Sequence, residues 1–470
     1  MKNLDVANKQ SASLDWITIA IYVCLVLIGF FMIYAVEYRG DGSFGFGSMG
    51  ASATKQLIWA GISFVFMTSL ITIEWKIWRT FAEFIYVVAL VLLVLVLFFG
   101  SKINGARAWF NFGGFSFQPA EIAKFGTCLA LSNFLSAINT DIRTFKHQIQ
   151  AVGFIMLPVC LILLQPDAGS GLVFMSFFIL LYRAGFPPML YVAGLSVMAL
   201  FIASLMLPIP IVIAALLFFL SIVLTLTLKY NYVWQGLLIF FVLCGIGIYF
   251  GYYWEVVIAN IVLFLLLLFL QVRNAQIRVA VFTTLFAILG SGFSYAAGYF
   301  FFNVLMPHQQ ERINVWLHPE LCDPKGSLYN LLQSKLAIGS GGLVGKGFLG
   351  GTMTKLNYVP QQSTDFIFCT IGEEQGFLGS FSIILLYLVL LYRISLIAEK
   401  QKLAFARYYA YGVAGIFFVH VFVNIGMTMG LLPIIGIPLP FISYGGSSML
   451  GFTLLLGVLL KLDYGRQVRS

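Results

Sequence analysis

Long apolar runs, separated by short polar stretches, dominate this chain. The runs do not alternate apolar and polar positions, so they are not typical of β-strands with one face in water. They occupy residues 16–36, 57–73, 81–99, 122–138, 150–164, 169–184, 187–206, 209–228, 233–250, 254–272, 278–300, 366–392, 408–430 and 441–460. Because about 20 apolar residues cross a bilayer as a helix, the pattern predicts an all-α polytopic transmembrane bundle of about 14 helices. We expect one integral membrane domain over residues 1–470.

The composition agrees with this class of protein. Of the 470 residues, 60% are hydrophobic and 10% are charged, which excludes an ordinary soluble domain. The formal net charge is +9, but Lys and Arg are spread over many short loops, so we predict no nucleic-acid partner. The six cysteines show no metal-ligand or redox spacing. The run 16–36 is longer than the core of a signal peptide, and we expect a retained helix.

The distribution of Lys and Arg predicts an orientation. With the N-terminus in the cytoplasm, most basic loops also lie there, and so does the C-terminus. The prediction is a multi-pass protein of the cytoplasmic membrane, with a first outer loop at 100–121 and a large extracytoplasmic loop at 301–365. The large loop carries the cations Arg312, Lys325, Lys335, Lys346 and Lys355. An anionic ligand explains them, and so does balance by nearby acidic residues in a translocated loop; both interpretations stay open.

Asp365 is the main candidate for catalysis. It lies in the stretch 361–368, where the long polar loop meets an apolar helix. A carboxylate near the membrane is costly unless it is held, so it indicates a functional site, and we predict a general base. The alternative is that Asp365 only caps the following helix. Upstream, residues 329–338 have helical spacing of leucines, which predicts a short amphipathic helix at the interface.

Five further residues are candidates for substrate binding. Arg107 carries a fork of donors that suits phosphate oxygens, and Trp109 is an interfacial anchor or a substrate platform. Glu121 and Lys124 lie three residues apart in the first turn of a predicted helix, so they form an ion pair or contact substrate. Asp167 lies in a tight turn, where it caps the next helix or joins the site.

Pro and Gly interrupt the apolar pattern over residues 424–448. Irregular backbone at membrane depth is tolerated where it packs on protein or lines a cavity, and we expect a cavity that opens outward. A polar site of this kind, with one carboxylate and nearby cations, suits an amphiphilic phosphorylated lipid.

These segments together resemble the SEDS family (shape, elongation, division and sporulation), and its RodA branch in particular. The motifs are Gly105-Ala106…Trp109, Gln118-Pro119…Glu121…Lys124, Gln165-Pro166-Asp167…Gly169, Gln333-Ser334-Lys335, Thr364-Asp365-Phe366-Ile367-Phe368 and the stretch 440–447. The resemblance covers the chain except for about residues 207–272. Because the family pattern has ten helices, it implies about four inserted helices in that region.

The resemblance implies a peptidoglycan glycosyltransferase that polymerises lipid II at the outer face of the cytoplasmic membrane during cell elongation. Asp365 matches the family's essential aspartate. It would take the proton of the acceptor sugar hydroxyl while undecaprenyl pyrophosphate leaves. Gln118, Glu121 and Asp167 lie in matching motifs. The candidates for phosphate contacts are Arg107, Lys124, Lys335, Lys346 and Lys355.

The implied partners are lipid II, the glycan linked to undecaprenyl pyrophosphate, a class B penicillin-binding protein and other membrane proteins of the elongation complex. No ligand cluster in the sequence predicts a bound metal or other cofactor, although pyrophosphate chemistry leaves room for a transient divalent cation. Two alternatives stay open: a lipid II flippase or transporter, since interrupted helices also suit alternating access, and a non-catalytic scaffold for cell-wall assembly.

Overall fold

The computed structural model describes residues 14–38, 50–103, 105–113, 115–227, 231–274, 276–323 and 326–467. Lys325, one of the predicted outward cations, lies outside the described residues. The chain divides into two compact units, the first formed by Met1–Pro187 with Asp323–Ser470 and the second by Pro188–Cys322. Every candidate site residue belongs to the first unit.

The described chain is almost wholly helical. Its α-helices are α1 (Trp16–Glu37), α2 (Ala51–Thr72), α3 (Trp75–Thr80), α4 (Ala82–Phe99), α5 (Pro119–Ser136), α6 (Phe145–Leu163), α7 (Ala168–Val173), α8 (Phe177–Arg183), α9 (Pro188–Met206), α10 (Ile209–Thr227), α11 (Asn231–Tyr249), α12 (Tyr253–Arg273), α13 (Ile277–Asn303), α14 (Pro307–Leu317), α15 (Ser327–Ser340), α16 (Thr352–Lys355), α17 (Ile367–Lys400), α18 (Ala404–Thr428) and α19 (Gly446–Gln467). Helices α9 to α14 form the second unit.

The predicted membrane bundle is confirmed. Within the described residues, 11 helices are long and apolar enough to cross a membrane, and two shorter apolar helical stretches lie at Ala168–Arg183 and Trp234–Tyr249. Each predicted apolar run overlaps a helix, but the run 169–184 is divided into α7 and α8 by a short 3-10 turn at Phe174–Ser176. The boundaries of the inserted helices, 207–272, stay a prediction.

Both predicted outer loops contain regular structure. The loop 100–121 folds into a small antiparallel sheet in the order β1 (Ser101–Ile103), β2 (Ala106–Phe112) and β3 (Phe115–Phe117). Gly105, at φ +88°, is in the turn between β1 and β2, a conformation that glycine adopts at low cost. The stretch 301–365 contains α14, α15 and α16; α15 confirms that residues 329–338 are helical, and their placement at the membrane interface stays a prediction.

The core of the first unit lies around α18 and α19, most of whose residues are buried. Between them the chain leaves helical structure over residues 429–445, here called the return segment. This segment packs on protein: the Tyr387 hydroxyl donates to the Pro440 carbonyl, and the buried Phe441 ring lies 4.9 Å from the Tyr22 ring. The irregular backbone therefore enters the bundle without exposing its polar groups to lipid. The outward cavity expected at this segment stays a prediction.

Candidate functional site

Asp365 lies in a turn, residues 361–366, that ends where α17 begins. The side-chain amide of Asn424, on α18, donates to the Asp365 carbonyl at 2.9 Å and to the Ile437 carbonyl at 2.7 Å. One buried amide thus joins the turn to the return segment, and Asp365 itself is half-buried. Because Asn424 is fixed in the core, the backbone at Asp365 has a defined position.

A second set of hydrogen bonds joins the same two segments. The Ser443 hydroxyl donates to the Thr364 carbonyl at 2.6 Å and accepts from the backbone N–H of Leu439 at 2.8 Å. The backbone N–H of Tyr444 donates to the Ser363 carbonyl at 2.8 Å. The turn is therefore held on both sides of Asp365, which is the arrangement that a positioned catalytic group requires.

Gly436 places the return segment against the Asp365 carboxylate. Its φ is +80°, and a methyl group added there would lie 3.2 Å from Asp365 Oδ2. Glycine is favoured on both counts, since it adopts positive φ and lets the backbone approach closely. The carboxylate consequently faces the return segment at short range.

Gln118 and Asp167 form a second polar cluster. Asp167 is the N-cap of α7: Oδ1 accepts from the backbone N–H of Ser170 at 3.0 Å, and Oδ2 accepts from the Ser170 hydroxyl at 2.7 Å and from Gln118 Nε2 at 3.0 Å. Asp167 therefore caps α7, which was one of the two interpretations of this residue. Gly169 brings the cluster to the return segment, because a methyl group added there would lie 2.9 Å from the Ile435 carbonyl oxygen.

Glu121 and Lys124 are buried on α5, with 4% and 2% of their surface exposed. Lys124 Nζ lies 2.9 Å from Glu121 Oε1, 3.0 Å from His420 Nε2 and 5.1 Å from the centre of the Phe452 ring. His420 Nδ1 lies 3.1 Å from the Pro438 carbonyl oxygen. Because a carbonyl only accepts, Nδ1 carries the proton, and Nε2 is left to accept from Lys124. The ion pair therefore supports the return segment through His420.

Sequence reasoning gave no role to His420, which is separated from Lys124 by about 300 residues. A single histidine in an apolar helix is weak evidence of a site, and the pairing arises only from tertiary structure. The one signal in the sequence was Lys124 itself, because a lysine in an apolar helix needs hydrogen-bond acceptors from other parts of the chain.

Lys346, Lys355 and Lys335 lie around this core in different surroundings. Lys346 Nζ donates to Glu373 Oε1 at 2.7 Å, and Glu373 is fully buried. Lys355 Nζ lies 5.8 Å from the centre of the Tyr38 ring. Lys335 is an exposed residue on α15, and a methyl group added at Gly430 would lie 2.6 Å from its Nζ. All three lysines are exposed residues, and Lys346 differs from the other two in its ion pair with the buried Glu373.

Arg107 and Trp109 are on β2. The backbone N–H of Arg107 donates to the Gln165 carbonyl at 3.2 Å, two residues before Asp167, while its side chain is exposed. Trp109 is half-buried and pairs with Ser101 in the sheet. The small sheet therefore carries Arg107 next to the cluster of Gln118 and Asp167.

The return segment is the feature that brings the candidates together. It contacts Asp365, adjoins Gly169 beside Asp167, and accepts the His420 hydrogen bond from the Lys124 network. A surface hollow elsewhere, lined by Trp75, Lys76 and other residues of α3 to α5, contains none of the candidate site residues. In the described part of the chain, no group of three or more His, Cys, Asp or Glu could hold a metal ion.

Fold and site together define a multi-pass membrane protein in which a carboxylate is fixed at an irregular segment between core helices. The model of the FtsW/RodA/SpoVE family, described as a cell cycle protein, matches residues 15–221 and 208–468. The chain belongs to this family.

Similar proteins cover nearly the whole chain. Peptidoglycan glycosyltransferase RodA of Treponema pallidum (strain Nichols) is 31% identical over 462 residues, 96% of this chain and 97% of that protein. Peptidoglycan glycosyltransferase MrdB of Escherichia coli (strain K12) is 30% identical over 408 residues, 86% and 84% of the two chains. Stage V sporulation protein E of Bacillus subtilis (strain 168) is 29% identical over 464 residues, 97% and 98%.

Two solved structures share the fold. A chain from a structure described as structural coordination of polymerization and crosslinking by a peptidoglycan synthase complex has a TM-score of 0.64 and 24% identity, covering 97% of this chain and 98% of that one. The rod shape determining protein RodA of Thermus thermophilus has a TM-score of 0.56 and 23% identity, with the same coverage. The all-helical membrane fold expected from the sequence is thus confirmed.

Proposed function

We propose that this chain is a peptidoglycan glycosyltransferase that polymerises lipid II at the outer face of the cytoplasmic membrane, with Asp365 as general base. The relatives from Treponema and Escherichia carry that enzyme name, which supports the reaction class. The observation that carries the assignment of Asp365 is the fixed turn, whose backbone is joined to the return segment through Asn424 and Ser443.

In the proposed reaction, the acceptor sugar hydroxyl attacks the anomeric carbon of the growing chain. The hydroxyl proton passes to the Asp365 carboxylate, the new glycosidic C–O bond forms, and the bond to undecaprenyl pyrophosphate breaks. The leaving group keeps the electron pair of that bond, so it gains charge that nearby cations stabilise. A base held in position by the surrounding backbone lowers the entropic cost of this step.

The candidate cations divide by whether they are held in an ion pair. Arg107, Lys335 and Lys355 are exposed residues and are the ones we assign to the pyrophosphate. Lys124 and Lys346 are held in ion pairs with Glu121 and Glu373, and we assign them to the support of the site. The proposal includes a transient divalent cation that arrives with the pyrophosphate. It would offset part of the negative charge on the leaving group.

The proposed orientation places both termini in the cytoplasm. An ion pair joins Asp15, at the start of α1, to Arg393, near the end of α17, with Arg393 Nη2 at 2.6 Å from Asp15 Oδ1. This pair places the start of α1 and the C-terminal part of α17 at one level, and the assignment of that level to the cytoplasmic side rests on the distribution of Lys and Arg over the loops. The proposed partner is a class B penicillin-binding protein, together with other membrane proteins of the elongation complex. The structural neighbour in a complex that polymerises and crosslinks peptidoglycan supports that partner.

The test is glycan-chain formation from purified lipid II by the protein with its cognate penicillin-binding partner, whose transpeptidase is blocked. Asp365→Asn keeps the size and polarity of the side chain, but the amide is not basic and cannot accept the proton. We expect it to bind lipid II normally and to lose polymerisation about 10²–10⁴-fold. Asp141→Asn, in an exposed turn between α5 and α6, is the matched control and is expected to keep the wild-type rate.

Wild-type polymerisation by Asp365→Asn would refute the base assignment. Absence of polymer from the wild type, with the complex intact, would refute the glycosyltransferase and make lipid II translocation the next assay. If lipid II is not translocated either, the remaining hypothesis is a non-catalytic scaffold for cell-wall assembly.

A further inference from the structure

Helix α17 is interrupted by a loop of the preceding chain. Gly376 has φ +63° and ψ −159°, so the helical hydrogen-bond pattern breaks there. The glycine loop, defined as residues 341–350, lies in the break. Its backbone hydrogen bonds to α17 are Phe377 N–H to Gly342 O at 2.9 Å, Leu378 N–H to Leu343 O at 3.1 Å, Lys346 N–H to Glu373 O at 3.1 Å and Gly347 N–H to Glu374 O at 3.0 Å. The loop therefore satisfies backbone groups on both sides of the break.

The tip of the glycine loop is apolar and exposed. Leu343 and Val344 show 71% and 75% of their surface. The hydrogen bonds to Phe377 and Leu378 place the tip beside these two side chains, which are 60% and 56% exposed. The apolar surface of the loop is thus continuous with the outward face of a membrane-spanning helix.

The ion pair of Asp15 and Arg393 gives a reference level for depth, because Asp15 directly precedes the first apolar span, which begins at Trp16. Sixteen residues separate Phe377 from Arg393 along α17. At ~1.5 Å per residue, Phe377 lies about 24 Å from that level, which is less than the ~30 Å thickness of the hydrocarbon. The tip of the loop lies at this same depth, inside the hydrocarbon and near its far edge.

Helix α1 gives a second estimate of the same depth, counted from the same ion pair. The Phe348 ring lies 6.1 Å from the Phe31 ring, at an interplanar angle of 86°. Phe31 is sixteen residues beyond Asp15 on α1, so it also lies about 24 Å above the ion pair. Two different helices therefore place both sides of the glycine loop at one level.

A third position marks the far edge. Tyr38, whose ring is 5.8 Å from Lys355 Nζ, follows Asp15 by 23 residues, which corresponds to about 34 Å and lies beyond the hydrocarbon. The cation after the loop is thus at headgroup level, whereas the apolar tip lies about 10 Å deeper.

We propose that the glycine loop is a re-entrant segment that enters the leaflet opposite the Asp15–Arg393 pair, and that Leu343 and Val344 contact lipid acyl chains. Irregular backbone is tolerated at this depth because its polar groups are paired with the broken ends of α17. The occupant of this surface is the outer leaflet of the bilayer under the orientation given above. The proposal does not depend on Asp365 or on glycosyl transfer.

Depth-dependent fluorescence quenching tests the proposal on the full-length protein in lipid nanodiscs. A fluorescent amino acid, dansylalanine, replaces Val344 by amber suppression, so the native cysteines need no change. The same label at Phe381, exposed on α17 and twelve residues from Arg393, is the control for the bilayer centre. The label at Arg143, in the exposed turn before α6, is the control for water. The lipids carry bromine at acyl carbons 6 and 7 or at carbons 11 and 12, and iodide is the aqueous quencher.

We expect brominated lipid to remove at least half of the fluorescence at position 344, with stronger quenching by the shallow bromines than by the deep ones. Position 381 should show the reverse order, and iodide should quench position 344 several-fold less than position 143. Iodide quenching at position 344 equal to that at position 143, with no effect of brominated lipid, would overturn the proposal. Quenching of position 344 only after lipid II is added would also overturn it, because the surface would then bind the substrate's polyprenyl chain.

Discussion

Replacing Lys124 by methionine tests whether the buried ion pair supports the return segment. Lys124 and Glu121 lie 2.9 Å apart with almost no exposed surface. At an effective dielectric constant of ~20, unit charges at that distance attract by about 6 kcal/mol. Desolvation of the two ions costs several kcal/mol each, so the pair adds little net stability. Loss of one partner is different, because the remaining charge stays buried without compensation.

We therefore expect Lys124→Met to destabilise the protein by about 3–5 kcal/mol. Glu121→Gln alone should cost a similar amount, but the double variant should recover most of the loss, since it leaves no unpaired charge. Thermal denaturation in detergent, read as the apparent midpoint for the four proteins, measures this coupling. Lys146→Met, at an exposed position near the start of α6, is the control and should be near neutral.

A double variant whose loss equals the sum of the two single losses would refute the reasoning, because the charges would then be energetically independent. The expected coupling also has a local consequence. Lys124 reaches the Pro438 carbonyl through His420, and Gly436 lies two residues before Pro438 and beside Asp365. Polymerisation should consequently fall in Lys124→Met even at temperatures where the protein remains folded.

Two further predictions concern the fold. Gly376→Ala should lower the thermal midpoint clearly, because φ is +63° and the new methyl would lie 2.3 Å from a backbone nitrogen of the glycine loop, whereas Gly61→Ala, with open space around it, should change the midpoint little. Burial acts to raise the pKa of the Asp15 carboxyl, but hydrogen bonds and the charge of its arginine partner outweigh this and hold it below the usual 3.8. Its stabilisation is then complete above that pH and is lost as pH falls through the lower, folded pKa. Asp15→Asn should therefore lower the midpoint at pH 7, and the difference from wild type should shrink below pH 4; a constant difference across that range would contradict the assignment.

The membrane-spanning helices of this protein were predictable because one physical requirement decides them. A backbone in lipid must satisfy its own hydrogen bonds over about 20 residues, and apolar length alone reveals such a segment. The same reasoning predicted the irregular region near residues 424–448 from its Pro and Gly. It did not predict the break at Gly376, because Gly372, Gly376 and Gly379 all lie in this run and nothing in the sequence distinguishes the one at which the helix breaks.

The side-chain hydrogen bonds within the site could not be predicted from the sequence, for a different reason. Asn424 contacts both the Asp365 turn and Ile437, and His420 joins Lys124 to Pro438, yet none of these contacts follows from local spacing. Polar residues at such positions are compatible with many partners until the helices are packed. The sequence could therefore nominate Asp365, while the residues that fix it became visible only in the folded protein.

The two irregular segments of the first unit lie in different parts of the fold. The return segment enters the helical core, and side chains that donate to its carbonyls hold it there. The backbone that faces Asp365 is therefore fixed. The glycine loop lies at the periphery, joined to α17 through backbone hydrogen bonds and through the pair of Lys346 and Glu373. Glu373 follows Asp365 by eight residues, so one short stretch of α17 joins the glycine loop to the turn that carries Asp365.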